Sequence, residues 1–208
     1  MRVAEHVRME RRAFAIAAAC APCAAVHALA AAADDAAATY ADLVHEAAAL
    51  PMPERIVFAN IVVNQRIAYV EDGVFGKTDV WQTPIETFAR GCGDCEDLAI
   101  AKFFLLLDAA VDAATLRLLY ARYRDLAVPG VETPHVVAIA RHRSADPFVL
   151  DNLNLIVLPL SQRDDLRPIF SFDRTRLWLG LDGPARGSST ARLPAWRRLL
   201  ERMALEQR

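Results

Sequence analysis

The sequence predicts an α+β domain in which helices come first, an antiparallel sheet follows, and one buried helix packs on that sheet. Three observations predict it. Apolar residues in the first half recur at spacings of three and four. Short apolar and aromatic runs separated by turn residues fill the second half. Between the halves, an almost wholly apolar helical segment starts directly after a pair of glycines, Gly91 and Gly93.

Residues 1–30 read as a secretory signal peptide. Arg2, Arg8, Arg11 and Arg12 make a basic start that Glu5 and Glu10 dilute, and an apolar run extends from Ala13 to Ala33, broken by Pro22 and His27. Ala28-Leu29-Ala30 fits the small-x-small cleavage pattern, and Asp34-Asp35 follow. The run is too alanine-rich for a transmembrane anchor. Residues 31–183 read as the domain, and residues 184–208 as a basic linker and C-terminal helix.

Within the domain, residues 40–50 and 53–70 are expected to be helical. In the second, Ile56, Ala59, Val63, Ile67 and Val70 share one face. Residues 71–83 read as a loop, and a short helix begins at Pro84 with Thr83 as N-cap and Glu86 at the third helical position. From Asp94 to Leu107 the helical pattern returns, with Cys95, Ala99, Phe103 and Leu106 in register. Leu116–Tyr123, His135–Ala140, Phe148–Asp151, Leu155–Leu158 and Trp178–Leu181 are the strand candidates. Gly183 to Pro194 reads as a loop-like linker. Trp196 to Gln207 reads as a basic amphipathic helix, packed on the domain or meeting a membrane surface or partner.

The chain has 208 residues, 54% apolar and 24% charged, with a formal net charge of −2. This suits one domain with a real core. It excludes a general nucleic-acid binder, since no basic stripe interleaved with aromatics is present. The cysteines are Cys20, Cys23, Cys92 and Cys95. Loss of the leader leaves two, too few for a disulfide framework.

The sharpest local feature is Gly91-Cys92-Gly93-Asp94-Cys95-Glu96-Asp97. It delivers a cysteine to the first turn of a helix, where free N–H groups favour the thiolate that attacks. Asp94, Glu96 and Asp97 oppose that charge unless a cation neutralises them. Three carboxylates so close suit a hard ion such as calcium. Equally, Asp94 can be the N-cap and the others can complement the helix dipole. A base is needed, and His135, opening a strand after Pro134, is the candidate among His6, His27, His45, His135 and His142. His142 falls seven positions on and faces the other way in a regular strand. Asp151, set among Val149, Leu150 and Leu153, would orient the imidazole. An Asp-Asn turn is the structural alternative. Gln82 is a candidate second oxyanion donor beside the Cys95 backbone N–H. Alternatively, it is a solvent-facing loop residue.

Trp81-Gln82-Thr83-Pro84, the Gly91–Asp97 segment and Lys102 resemble the bacterial transglutaminase-like cysteine peptidases of the LapG type. So do His135-Val136-Val137, Val149–Leu153, Arg163-x-Asp165-Leu166-x-Pro168, Ser171-Phe172-Asp173 and Leu177-Trp178-Leu179, in that order. The resemblance implies a papain-like or transglutaminase-like core and a Cys95–His135–Asp151 triad. It implies a calcium site at Asp94, Glu96 and Asp97 and action in the periplasm; since no segment beyond the leader is long and apolar enough to span a bilayer, no stable membrane insertion is expected once the leader is removed. The substrate it implies is a large surface adhesin, cut near its N-terminus to release cells from a biofilm. A cyclic di-GMP-sensing inner-membrane receptor is the implied inhibitor. Val136 and Asp173 depart from the pattern, which usually has Met and Asn there. Cys92 is a further departure, and a Cys92–Cys95 disulfide would silence the nucleophile.

Three other readings compete. Cys92-x-x-Cys95 at a helix start is also the pattern of a thioredoxin-like redox protein, although a helix and loop, not a strand, precede it. The pairs 20/23 and 92/95 could form a zinc site, but their separation is too long. The same fold can also run acyl transfer or serve as a non-catalytic binding module.

Overall fold

The computed structural model describes residues 21–70, 80–125, 130–143 and 146–206; side chains are described from residue 32 onward. Most of the expected leader, and the greater part of the loop at 71–83, therefore lie outside the described residues.

Helix α1 (Ala21–Ala49) and helix α2 (Met52–Arg66) pack together and on the central helix α4 (Cys95–Asp108). Arg55 ties the three together by donating to the carbonyls of Ala48, Leu50 and Ala109, covering acceptors that helix ends leave open. After α2, the two-residue strand β1 (Ala68–Tyr69) pairs in parallel with β2 (Cys92–Gly93). Between them lies α3 (Pro84–Arg90), closed at its start by the expected Thr83–Glu86 capping box. Gly91 ends α3 in the left-handed conformation, φ 67°, that only glycine adopts without strain.

The second half is a seven-stranded antiparallel sheet in the order β6-β5-β4-β3-β7-β8-β9. Its strands are β3 (Leu116–Arg124), β4 (Glu132–Ala140), β5 (Phe148–Leu150), β6 (Leu158–Pro159), β7 (Leu166–Phe172), β8 (Arg176–Leu179) and β9 (Ala185–Ser188). Alternate residues of β3 and β4, including Leu116, Leu118, Val136 and Ala138, join α4 in the main core. The opposite set, Leu119, Ala121, Val137 and Ile139, meets Val149 and Leu166 in a second cluster. Strand β4 is therefore enclosed on both faces from His135 onward.

Several expectations are corrected. Leu155–Leu158 is mostly not a strand: Asn154 accepts from the N–H of Ile156 in a tight turn, and Leu155 and Ile156 are exposed. Strand β7 lies outside the expected strands, as do the short β1 and β2; Pro168 sits next to the β7 bulge, opposite Ala121. Ala185–Ser188 is an edge strand on β8, so the segment from Gly183 to Pro194 is not a linker. It leads through the short helix α5 (Ser189–Arg192) into α6 (Pro194–Glu206). Helix α6 belongs to the core: Trp196 is fully buried and packs with Trp81, Phe103, Phe104 and Phe172. Among the described residues, no helix is long and apolar enough to cross a membrane.

Candidate active site

Glycine and aspartate together set the start of α4. Asp94 is the N-cap and accepts from the N–H of Asp97, while Asp97 reaches back to the N–H of Asp94. For this, the Asp97 side chain folds over Gly93, where an added Cβ would lie 2.6 Å from Asp97 Cβ and 2.7 Å from its Oδ2. Only glycine fits that approach. Asp97 is buried and also accepts from the backbone N–H of Gln82, at 2.7 Å, and from the Gln82 side-chain amide. The loop before α3 is thus strapped to the first turn of α4.

Cys95 follows as the first residue of the helix. Its thiol donates to Glu96 Oε2 at 2.8 Å and so is turned to Glu96. Burial, then the charge and hydrogen bond of Glu96, then Asp94, push the thiol well above its ordinary value. The backbone of Val136 opposes them and lowers the thiol. Helix α4, which Cys95 opens, packs on β4, the strand that carries His135.

His135 and Asp151 are both buried, and His135 Nε2 lies 2.7 Å from Asp151 Oδ1. Asp151 follows β5 and also accepts at Oδ1 from the N–H groups of Asn152 and Leu153. The Asp-Asn turn and the orienting contact are therefore made by the same carboxylate. Its Oδ2 accepts from Arg163 Nη2 at 2.5 Å. Burial alone would raise this carboxyl. The hydrogen bond and charge of His135, the N–H of Leu153 and the bond from Arg163 outweigh it, and hold the group well below the usual carboxylate range. Helix α2 braces the same loop, since the Asn64 amide donates to the Asp151 carbonyl at 2.7 Å.

Three neighbours had no role assigned from sequence. Arg163 is buried beneath Asp151 and forks onto Asp165 at 2.8 and 2.7 Å. Lys102 is buried on α4 within electrostatic reach of Asp151, and burial lowers its ammonium to about 7. The Tyr123 ring meets His135 edge to face, centroids 5.8 Å apart. Arg163 and Lys102 belonged to the recognised motif. A charged residue in an apolar helix was the signal for Lys102; for Tyr123 there was none, because only the β3–β4 register sets it there.

The remaining candidates are placed as follows. Gln82 is buried, not solvent-facing, and its amide is directed to Asp97. Cys92 and Cys95 are both free thiols. His45 lies on α1, and His142 lies past the end of β4 in a bend. The segment entering Cys92 is a helix, not the buried strand that a thioredoxin motif follows. Asp94, Glu96 and Asp97 offer only hard carboxylate oxygens, the donor chemistry calcium takes. They are not preassembled as a site, for among the described residues no three such groups converge to hold a metal. Asp97 is spent on N–H donors and Glu96 on the thiol.

A helix-start cysteine against a sheet that positions a buried His–Asp pair is the arrangement of the papain-like and transglutaminase-like thiol enzymes. Comparison with known proteins narrows this class. The model of the bacterial transglutaminase-like cysteine proteinases (BTLCP) matches residues 18–166, and the chain belongs to that family; it is a cysteine peptidase. Among solved structures it is similar to Legionella pneumophila LapG. The EGTA-treated form superposes with a TM-score of 0.70 at 29% identity, over 84% of this chain and 97% of that one. The calcium-bound form gives 0.67 at 32% identity, over 79% and 87%. No curated protein sequence matches the chain.

Proposed function

We propose that the protein is a calcium-dependent periplasmic cysteine endopeptidase acting through Cys95, His135 and Asp151. The observation that carries this reading is the buried His135–Asp151 pair, 2.7 Å apart, with His135 on strand β4, against which α4 and its leading Cys95 pack. Asp151 engages Nε2, which leaves Nδ1 of His135 as the nitrogen that takes the Cys95 proton. The thiolate forms at the α4 N-terminus, where the helix dipole and the Val136 backbone favour it. It attacks a peptide carbonyl, and the Cys95 backbone N–H stabilises the oxyanion. Gln82 is the candidate second donor through its remaining amide hydrogen. The His135 imidazolium, held by Asp151, gives its proton to the leaving amine. Water then releases the acyl group with His135 again as base.

Asp94, Glu96 and Asp97 are the residues that would hold calcium, which supplies positive charge to offset the carboxylates beside the thiol. For this, Glu96 must give up the Cys95 thiol, which frees the sulfur to turn to His135. That the similar LapG has a calcium-bound and an EGTA-treated form supports calcium dependence.

The substrate proposed is a large surface adhesin cut near its N-terminus, so that cells leave a biofilm. A cyclic di-GMP-sensing inner-membrane receptor would hold the protease in check. The test is incubation of an adhesin N-terminal fragment with wild-type and Cys95→Ala protein, with calcium and with EGTA. Cleavage by wild type in calcium alone is expected; cleavage by Cys95→Ala would overturn the reading.

A further inference from the structure

Resting on that peptidase reading, we propose that Arg163, braced by Asp165, is a positioning residue that holds the Asp151 carboxylate against His135. Three N–H donors converge on Asp151 Oδ1: His135 Nε2 at 2.7 Å, Asn152 N at 2.7 Å and Leu153 N at 3.0 Å. On Oδ2 the donor is Arg163 Nη2, at 2.5 Å. Without it, the carboxylate keeps only its Oδ1 contacts, which hold one oxygen but do not fix the plane of the group.

The charges make the same point. A buried carboxylate needs a buried cation. The charged and titratable groups facing Asp151 are His135 from β4, Lys102 from α4, Tyr123 from β3, and Arg163 with Asp165 from the connection into β7. His135 must lose its charge during every turnover. Lys102 loses its charge near neutrality. Arg163 stays charged throughout, and its planar fork fits two carboxylates at once. The guanidinium is itself fixed, Nε to Asp165 Oδ1 and Nη2 to Asp165 Oδ2. A hydrogen bond from the Arg163 N–H to the Leu160 carbonyl, 3.0 Å, pins the backbone at the same point. The result is a continuous chain, His135–Asp151–Arg163–Asp165, whose far end reaches the partly exposed surface.

The test is a double-mutant cycle on the full chain with Asp151→Asn and Arg163→Lys, which keeps the charge but not the fork. Asp165→Asn serves as a milder second variant if Arg163→Lys fails to fold. Two readouts need no substrate. One is the rate of Cys95 alkylation by iodoacetamide at fixed pH, in calcium, read by peptide mass. The other is the NMR signal of the His135 Nε2 proton. Arg163→Lys is expected to slow alkylation by about tenfold or more and to weaken that proton signal. The double variant should be no slower than Asp151→Asn, because both changes break one device. Wild-type behaviour of Arg163→Lys and Asp165→Asn, or losses that multiply in the double variant, overturns the proposal. If His135→Ala and Asp151→Asn themselves leave Cys95 reactivity unchanged, the underlying triad reading falls with it.

Discussion

The Cys95 thiol donates to Glu96 Oε2 at 2.8 Å, so the proposed nucleophile rests against the carboxylate of its own neighbour. Glu96 raises the thiol through both its charge and this bond. Glu96→Gln should therefore lower the Cys95 pKa. In EGTA, alkylation of Cys95 near neutral pH should then be faster in the variant than in wild type, by about tenfold per pH unit recovered. Equal rates would show that burial alone sets the thiol.

Asp151→Asn should leave the chain folded and reduce turnover by as much as about 10⁴-fold, since the imidazole loses the carboxylate that sets its tautomer. Steady-state cleavage of the proposed adhesin substrate measures it. A loss confined to KM would point to substrate contact instead.

Acid sensitivity follows from the same carboxylate. Its pKa is depressed in the folded state, so the unfolded chain takes up the proton first. The stability it contributes is complete above about pH 4, the unfolded value, and is lost as pH falls toward the folded one. Thermal unfolding of Asp151→Asn should thus depend less on pH below about 4 than wild type does.

Lys102 gives a window on the alkaline side. Burial lowers it from 10.5 to about 7, so between those values the unfolded state binds more protons than the folded one. Wild-type stability should rise with pH across that window, and Lys102→Met should flatten the rise. A Tm profile shared by both proteins would place the ammonium in contact with water.

Helix α6 should be indispensable to the fold. Arg202 binds Glu86 and the Trp81 carbonyl, Thr83 donates to Glu206 at 2.6 Å, and Trp196 is enclosed among four aromatic rings. Trp196→Ala should cost about 3–5 kcal/mol in denaturant unfolding. A change within about 0.5 kcal/mol would mean that α6 is an appendage.

The local chemistry was legible in the residues themselves. Gly93-Asp94-Cys95 states a helix start with a capped cysteine, because capping and glycine contacts act over three or four residues. The Thr83–Glu86 box and the two-sided burial of α4 are read the same way, from near neighbours in the chain. Helix α6 was legible as a helix but not as core, since its partners Trp81, Phe103 and Phe172 lie far away in sequence.

By itself, then, the sequence determined the capped starts of α3 and α4, the helical character of α6 and the order of cysteine, histidine and aspartate, whereas α1 reaches back to Ala21 from the expected 40–50 and α2 stops at Arg66, short of the expected residue 70. Tertiary structure decided which partners those groups meet. Arg163 reaches Asp151 only because a turn and two strands fold back on each other, and Tyr123 meets His135 only through the β3–β4 register. It also turned the thiol toward Glu96 and spent Gln82 on Asp97. The physical reason is range. Periodicity and capping are local, whereas buried charges settle on whichever counter-charge the closed sheet brings within a few ångströms.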